Sequence, residues 1–259
     1  MPASEAEPAR AAFVELFPEG FEERERRGGL ELAAYTDEAG EARVREGFGT
    51  VAVSEVEPGW EGRWREFHRP VRVGALWVGP PWETPPADAI ALVVEPARAF
   101  GTGGHATTRL CLELLVDLAA ELAGASVLDL GCGSGVLSIA AARLGYGSVL
   151  AVDVEPEAIA ETRRNARANG VEVEARLADA LTAELPTCDF VLANIARRTV
   201  EALAARLRCR VFVASGYLES EPVDLPGFRH RERRTAEGWA ADVYDHVEPL
   251  ARSRDSGVT

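Results

Sequence analysis

Val127-Leu128-Asp129-Leu130, followed by Gly131-Cys132-Gly133-Ser134-Gly135, constrains this chain more than any other segment. The apolar run, the three alternate glycines and a second apolar run from Val136 read as a buried strand, a tight turn and a helix. Further on, Val149-Leu150-Ala151-Val152-Asp153 reads as a second strand ending in a carboxylate. A glycine turn lets a ligand approach the backbone closely, and a helix start offers free N–H groups. A carboxylate at the next strand end can accept both hydroxyls of a ribose. These features describe a nucleoside-type pocket at the carboxyl edge of a parallel sheet.

The spacing narrows the choice. The dinucleotide fingerprint is G-x-G-x-x-G. Here Gly131-x-Gly133-x-Gly135 is followed by Val136 and Leu137, so that fingerprint is not met. With Asp129 upstream, the turn instead resembles motif I of the class I S-adenosylmethionine methyltransferases. A ligand-free strand-to-helix turn would explain the glycines but not Asp153.

Composition bounds the rest. The 259 residues suit one large or two small domains, and 47% hydrophobic residues can build a sizeable core. No run approaches the ~18 apolar residues of a membrane span. Met1-Pro2-Ala3-Ser4-Glu5 has neither the basic nor the apolar region of a signal peptide, so a cytoplasmic protein is expected. Cys111, Cys132, Cys188 and Cys209 are scattered without a Cys-x-x-Cys pair, which reads as free thiols and no metal site. The net charge is -14 and every basic residue is arginine. Such a surface opposes binding to a phosphate backbone and favours encounter with a basic partner; plain solubility explains it equally well. A monomer is expected, with no nucleic-acid or membrane contact.

The chain divides by texture. Residues 1–58 read as a small α+β domain, its first ten residues disordered. Within it Ala11–Phe17 reads as a helix, Leu30–Tyr35 as a strand, Thr36–Gly40 as a turn, Glu41–Glu46 as a helix and Val51–Val56 as a half-buried strand. Residues 59–88 hold Trp60, Trp64, Phe67, Trp77 and Trp82 among prolines and read as a linker lying against the next domain. Trp60, Trp64 and Phe67 sit at helical spacing, which points to packing.

Residues 89–249 alternate strand and helix. Strands are expected at 90–94, 126–130, 148–152, 172–177, 190–193 and 211–215, and helices at 107–122, 135–144, 156–169 and 197–207. Residues 228–232 and 239–247 read as a terminal antiparallel pair, and 250–259 as a disordered tail. The fold class is α/β: a doubly wound, mostly parallel, Rossmann-like sheet behind the small N-terminal domain.

A second rich segment runs from Glu95 to Thr108, with Gly101, Gly103, Gly104 and His105 inside it. It ends at a helix start, where a ligand carboxylate would find N–H groups and hydroxyls. A loop capped by Thr107 with nothing bound explains the same residues. His105 alone reads as a loop histidine rather than a catalytic base.

Phe100-Gly-Thr-Gly-x-His-x-Thr-Thr108, Leu128-Asp-Leu-Gly-Cys-Gly-Ser-Gly135, Val152-Asp-Val-Glu-Pro156 and Ala193-Asn-Ile195, in this order, resemble the ribosomal protein L-eleven methyltransferases, the PrmA family. The resemblance covers about residues 48–247 and includes the Trp60–Trp82 stretch. It implies a small N-terminal substrate-recognition domain, a seven-stranded class I methyltransferase domain, S-adenosyl-L-methionine as cofactor and a basic large-subunit ribosomal protein as substrate. The expected reaction is methylation of α-amino or lysine ε-amino groups. Thr107, Thr108, Asp129, Gly131, Gly133, Asp153, Asp179 and Asn194 are then expected around the cofactor, with Asp153 on the ribose and Asp179 near the adenine edge. Phe100, Thr102 and Asn194 are expected on the methyl-transfer side. The chain departs from the family in two places. Met1–Arg10 offers no first strand, and Arg197-Arg198 stand where small or apolar residues are usual.

Asn194 lies in Leu192-Ala193-Asn194-Ile195-Ala196. Enzymes that methylate planar amide-like nitrogens carry Asn/Asp-Pro-Pro-Tyr here. The missing prolines and tyrosine suit a tetrahedral amine, although an Asn capping the next helix explains the residue too. An amine must lose its proton before attacking a sulfonium methyl. An α-amine is roughly 10–20% neutral at pH 7 and a lysine well under ~0.1%. Burial beside a cation lowers the pKa further, so proximity, alignment and desolvation carry the reaction. Two alternatives stand beside this reading: a methyltransferase for another protein lysine or small amine, and a cofactor-binding assembly factor without turnover.

Overall fold

The computed structural model describes Ala9, Phe13, Leu16, Thr36 and residues 22–26, 29–34, 38–49, 51–54, 69–95 and 104–247. The expected disorder at both termini, the helical spacing of Trp60, Trp64 and Phe67, and the positions of Phe100 and Thr102 lie outside these residues. The chain separates into two compact units, Met1–Trp60 and Glu61–Thr259.

The first unit contains an antiparallel pair, β1 (Glu22–Arg26) and β2 (Gly29–Ala33), and helix α1 (Glu38–Phe48). Phe13 and Val44 form its buried core, with Leu16, Leu32, Ala34, Phe48 and Val51 packed against them. Phe13 and Phe48 meet edge to face at 5.3 Å. Two readings change here. Charged Glu22–Arg26 pairs as a strand, and Val51–Ser54, the described part of the expected Val51–Val56 strand, pairs with no strand among the described residues. Helix α1 also starts within the expected Thr36–Gly40 turn.

The second unit opens with a three-stranded sheet of β3 (Val71–Val73), β4 (Leu76–Gly79) and β5 (Ile90–Val93). β3 and β4 form a hairpin through Gly74, at φ +55°, and β4 runs parallel to β5. Part of the expected linker is therefore regular structure. Its prolines at 70, 80 and 81 flank the strands, so each strand keeps its donors.

The remaining elements are α2 (Ala106–Leu118), β6 (Val127–Leu130), α3 (Val136–Arg143), β7 (Val149–Asp153), α4 (Pro156–Ala168), β8 (Glu174–Leu177), β9 (Phe190–Asn194), α5 (Arg197–Ala204), β10 (Val211–Leu218), β11 (Phe228–Ala236) and β12 (Trp239–His246). The strands form one seven-stranded sheet in the order β11-β12-β10-β9-β6-β7-β8, with only β12 antiparallel to its neighbours. This is the expected doubly wound α/β class. Both faces are covered, so the central strands are apolar on both sides apart from the buried Asp129 and the polar residues at their ends, Asp153 and Asn194. Val127 and Phe190 join Leu110, Leu114 and Leu115 of α2 and Ile139 of α3 in one core. On the opposite face Leu128, Leu130 and Phe212 pack with Val200 and Leu203 of α5. The same sheet places the ends of β6, β7 and β9 side by side.

Candidate active site

A cleft of about 620 Å³ opens at those three strand ends. Its floor is the turn after β6. Gly131, Gly133 and Gly135 have φ of +74°, +53° and +81°, angles that non-glycine residues rarely adopt. Space demands glycine as well: a Cβ at Gly131 would fall 2.3 Å from Ile195 Cγ2, and one at Gly135 would fall 2.9 Å from the Thr162 side chain.

The free N–H groups expected at this helix start are not what the turn offers. Its amides are already engaged: Gly131 and Cys132 donate to Val152 O, Gly133 to Asp153, Gly135 to Cys132 O and Val136 to Ser134 Oγ. A ligand here meets a flat backbone surface and a carboxylate rather than a nest of free N–H groups.

Asp153 ends β7 inside the cleft. Its Oδ2 accepts from Gly133 N at 2.9 Å and its Oδ1 from Glu155 N at 3.0 Å. Each oxygen keeps a further lone pair, so the fixed carboxylate can take two hydroxyl donors. Asp179, after β8, also lines the cleft, and its side chain accepts from Leu181 N at 2.9 Å, closing a local turn.

Asn194 ends β9 on the opposite wall. Its Nδ2 points to Thr108 Oγ1 in the first turn of α2, a long contact at 3.4 Å. Its Oδ1 is buried with no hydrogen-bond partner among the described residues. An unpaired buried acceptor is costly, by roughly 1–3 kcal/mol, unless a bound molecule supplies the donor. Asn194 does not cap α5: the N-cap of that helix is Ala196, with no side-chain cap.

Residues 27–241 match the family model described as ribosomal protein L11 methyltransferase (PrmA). The chain belongs to this family. A ribosomal protein L11 methyltransferase from Pelobacter propionicus is 42% identical over 203 residues, covering 71% of this chain and 66% of that protein. One from Methylococcus capsulatus is 44% identical over 194 residues, covering 70% and 65%. The crystal structure of a ribosomal protein L11 methylase from Lactobacillus delbrueckii subsp. bulgaricus superposes with a TM-score of 0.61 at 26% identity, covering 69% of this chain and 99% of that one. The chain spans just under two thirds of the length of the curated family members it matches.

Within this family fold, Thr108, Gly131, Gly133, Asp153, Asp179 and Asn194 all line the one cleft. Asp129 and Thr107 do not. The alternation of β6 turns Asp129 away, to accept from Ser138 Oγ of α3 at 2.6 Å. Burial pushes its carboxyl up to about 6, against the Ser138 hydrogen bond, and the nearby Asp153 charge adds to the rise. Thr107 is buried beside His105, its Oγ1 2.8 Å from His105 Nδ1. His105, rather than Thr107, is the N-cap of α2, and its Nδ1 accepts from Thr107 N at 3.3 Å. The ring also packs edge-on against Trp239 at 4.9 Å. An Nδ1 occupied in this way is not placed to take a substrate proton.

Sequence reasoning missed Ile195, Thr199 and Leu203, which line the Asn194 side. It missed Gly216 as well. At φ +100°, Gly216 forms a β-bulge between Ser215 and Tyr217, and a Cβ there would lie 2.3 Å from Ile195 O. Gly131 and Gly216 thus make room for the Ile195 side chain and backbone respectively. All four cysteines are buried free thiols, and burial raises each thiol pKa, that of Cys111 to about 12. None is suited to act as a nucleophile. No group of three or more metal-ligating side chains occurs among the described residues. No helix among them is long and apolar enough to cross a membrane.

Proposed function

We propose that the chain binds S-adenosyl-L-methionine in the β6–β7–β9 cleft and transfers its methyl group to amino groups of ribosomal protein L11. The observation that carries this reading is the convergence of three features on one cleft: the glycine floor, Asp153 with lone pairs to spare, and the unpartnered buried Oδ1 of Asn194. S-adenosyl-L-methionine supplies an electrophilic methyl group on a cationic sulfonium. The chain supplies placement. Asp153 accepts the ribose hydroxyls, and the Gly131 backbone lets the methionine end lie flat against it. Asp179 stands where the adenine edge would be read.

Asn194 Oδ1 would accept an N–H of the incoming amine. That hydrogen bond aims the nitrogen lone pair along the attack line and supplies the donor the oxygen lacks. The amine must arrive neutral, which favours an α-amino group and requires desolvation for a lysine. On this reading Phe100 and Thr102, carried over from the family resemblance, serve methyl transfer. The acidic side chains Glu155, Glu157 and Asp179 around the cleft and the net charge of -14 suit a basic ribosomal protein and a cytoplasmic site of action.

Incubation with isotopically labelled S-adenosyl-L-methionine and purified ribosomal protein L11, followed by mass spectrometry, tests the reading. Label on α-amino or lysine ε-amino groups is expected. Label on another protein of a lysate but not on L11 would reassign the substrate. Cofactor binding without transfer to any acceptor would make the chain a binding factor instead.

A further inference from the structure

Helix α4 buries a row of polar side chains. Thr162, Asn165 and Asn169 lie three and four residues apart, on one face, and are 0%, 4% and 9% exposed. Buried polar groups need partners, and the partners differ in a telling way. Thr162 Oγ1 donates to Gly133 O at 3.0 Å and so touches only the glycine turn and its neighbour Cys132. Asn169 clamps β5: its Oδ1 accepts from Val93 N at 2.8 Å and its Nδ2 donates to Val93 O at 2.7 Å. Asn165 does both. Its Nδ2 donates to Ser134 O at 2.8 Å, while its Oδ1 accepts from Glu95 N at 3.3 Å.

We propose that Asn165 is a positioning residue that locks the glycine turn to the exit of β5, and that cofactor affinity depends on this lock. The affinity part rests on the methyltransferase reading of the cleft. The turn is gripped from two sides. Asp153 holds the Gly133 amide, while Thr162 and Asn165 hold the carbonyls of Gly133 and Ser134. The turn's amides are held by Val152 O, Asp153 and Cys132 O, and Thr162 and Asn165 add the grip on its carbonyl side from α4. Releasing Ser134 O lets the turn rotate against Asp153, and both elements face the ligand. In sequence, Glu95 heads the segment that leads to α2, whose Thr108 lines the same cleft. Asn165 therefore ties the cofactor floor to the strand that feeds the opposite wall.

Asn169 provides the control: it holds β5 through Val93 and its Nδ2 also donates to the Asn165 backbone carbonyl at 2.8 Å, but it makes no hydrogen bond to the turn. Hydrogen exchange of the amides at 131–135 in the ligand-free chain is read for wild type, Asn165→Ala, Asn165→Asp and Asn169→Ala. Binding of S-adenosylhomocysteine is read by calorimetry on the same samples. Asn165→Asp keeps the acceptor for Glu95 N but sets a carboxylate oxygen, in place of the NH₂ donor, against Ser134 O, so it breaks the turn side of the lock without the cavity that Asn165→Ala leaves. Both Asn165 variants are expected to speed exchange in the turn and to weaken binding about tenfold, the loss of one buried hydrogen bond. The cofactor KM should rise in parallel, with kcat changed by less than about threefold. Asn169→Ala is expected to lower the Tm but to leave turn exchange and affinity within about twofold of wild type. Unchanged turn exchange in Asn165→Asp, or equal loosening in Asn169→Ala, overturns the lock. A wild-type chain that does not bind S-adenosylhomocysteine sinks the methyltransferase reading, while the exchange data still decide the lock alone.

Discussion

Ile195 Cγ2 occupies the space that a side chain at Gly131 would need, 2.3 Å from the ideal Cβ position. The glycine turn and the loop after β9 are therefore fitted to each other, and Gly131 is required for two separate reasons. One is its φ of +74°, and the other is this contact. Left-handed backbone costs a side chain about 1–2 kcal/mol. Gly131→Ala should weaken S-adenosylhomocysteine binding by on the order of tenfold or more and lower the Tm, both read by calorimetry. Adding Ile195→Ala removes the collision but not the strain, so the double variant should recover part of the loss. Full additivity of the two changes would show that the collision is relieved elsewhere.

Asp153 offers a cleaner separation of binding from folding. Its carboxylate accepts two backbone N–H groups and keeps lone pairs facing the cleft. Asp153→Asn puts an amide NH₂ against one of those N–H donors and removes the charge that a diol would meet. Cofactor affinity should fall about 10- to 100-fold, the loss of one or two charge-assisted hydrogen bonds. Circular dichroism should stay that of the wild type. Wild-type affinity in this variant would remove Asp153 from the ribose site.

Asp129 makes stability depend on pH with an unusual sign. Burial raises its carboxyl from 3.8 to about 6 in the folded chain. The folded state thus holds a proton that the unfolded state has already released. Asp129 is harmless below about pH 4, becomes destabilising as pH rises from there to about 6, and adds a constant penalty above that. The full effect is on the order of 3 kcal/mol. Urea unfolding between pH 4.5 and 7 should show wild type losing stability relative to Asp129→Asn as pH rises. The opposite trend, or parallel curves, would mean that Asp129 is paired in solution.

The sequence was most legible where chemistry is local. The Gly131–Gly135 turn and Asp153 could be read because each closes an apolar strand, while Asn194 came from the family resemblance. The doubly wound, mostly parallel class followed from alternating strands and helices, while the strand order came only with the structure. What stayed hidden depends on distant partners. Thr162 and Asn165 look like ordinary polar positions of α4 until Gly133 O and Ser134 O arrive from about thirty residues away. Gly216 looks like a strand interruption until Ile195 O is placed against it. The His105 cap was missed because threonine is the commoner cap, while an imidazole nitrogen accepts just as well. Charged Glu22–Arg26 has no apolar alternation to announce a strand.

Asn194 separates chemistry from cofactor binding. Its Nδ2 reaches Thr108 at 3.4 Å, a long contact of little worth, while its buried Oδ1 waits for a donor. Asn194→Ala should therefore leave S-adenosylhomocysteine affinity within about threefold of wild type. Turnover on the protein acceptor should fall on the order of 100-fold, as when an oriented hydrogen-bonding group is lost from a reacting centre. Asn194→Asp keeps an acceptor at the same place and should retain more turnover than the alanine variant. The decisive measurement is kcat at saturating cofactor beside the Kd from calorimetry. Equal losses in both would move Asn194 into cofactor binding and leave the amine to be aligned by the backbone around Ile195.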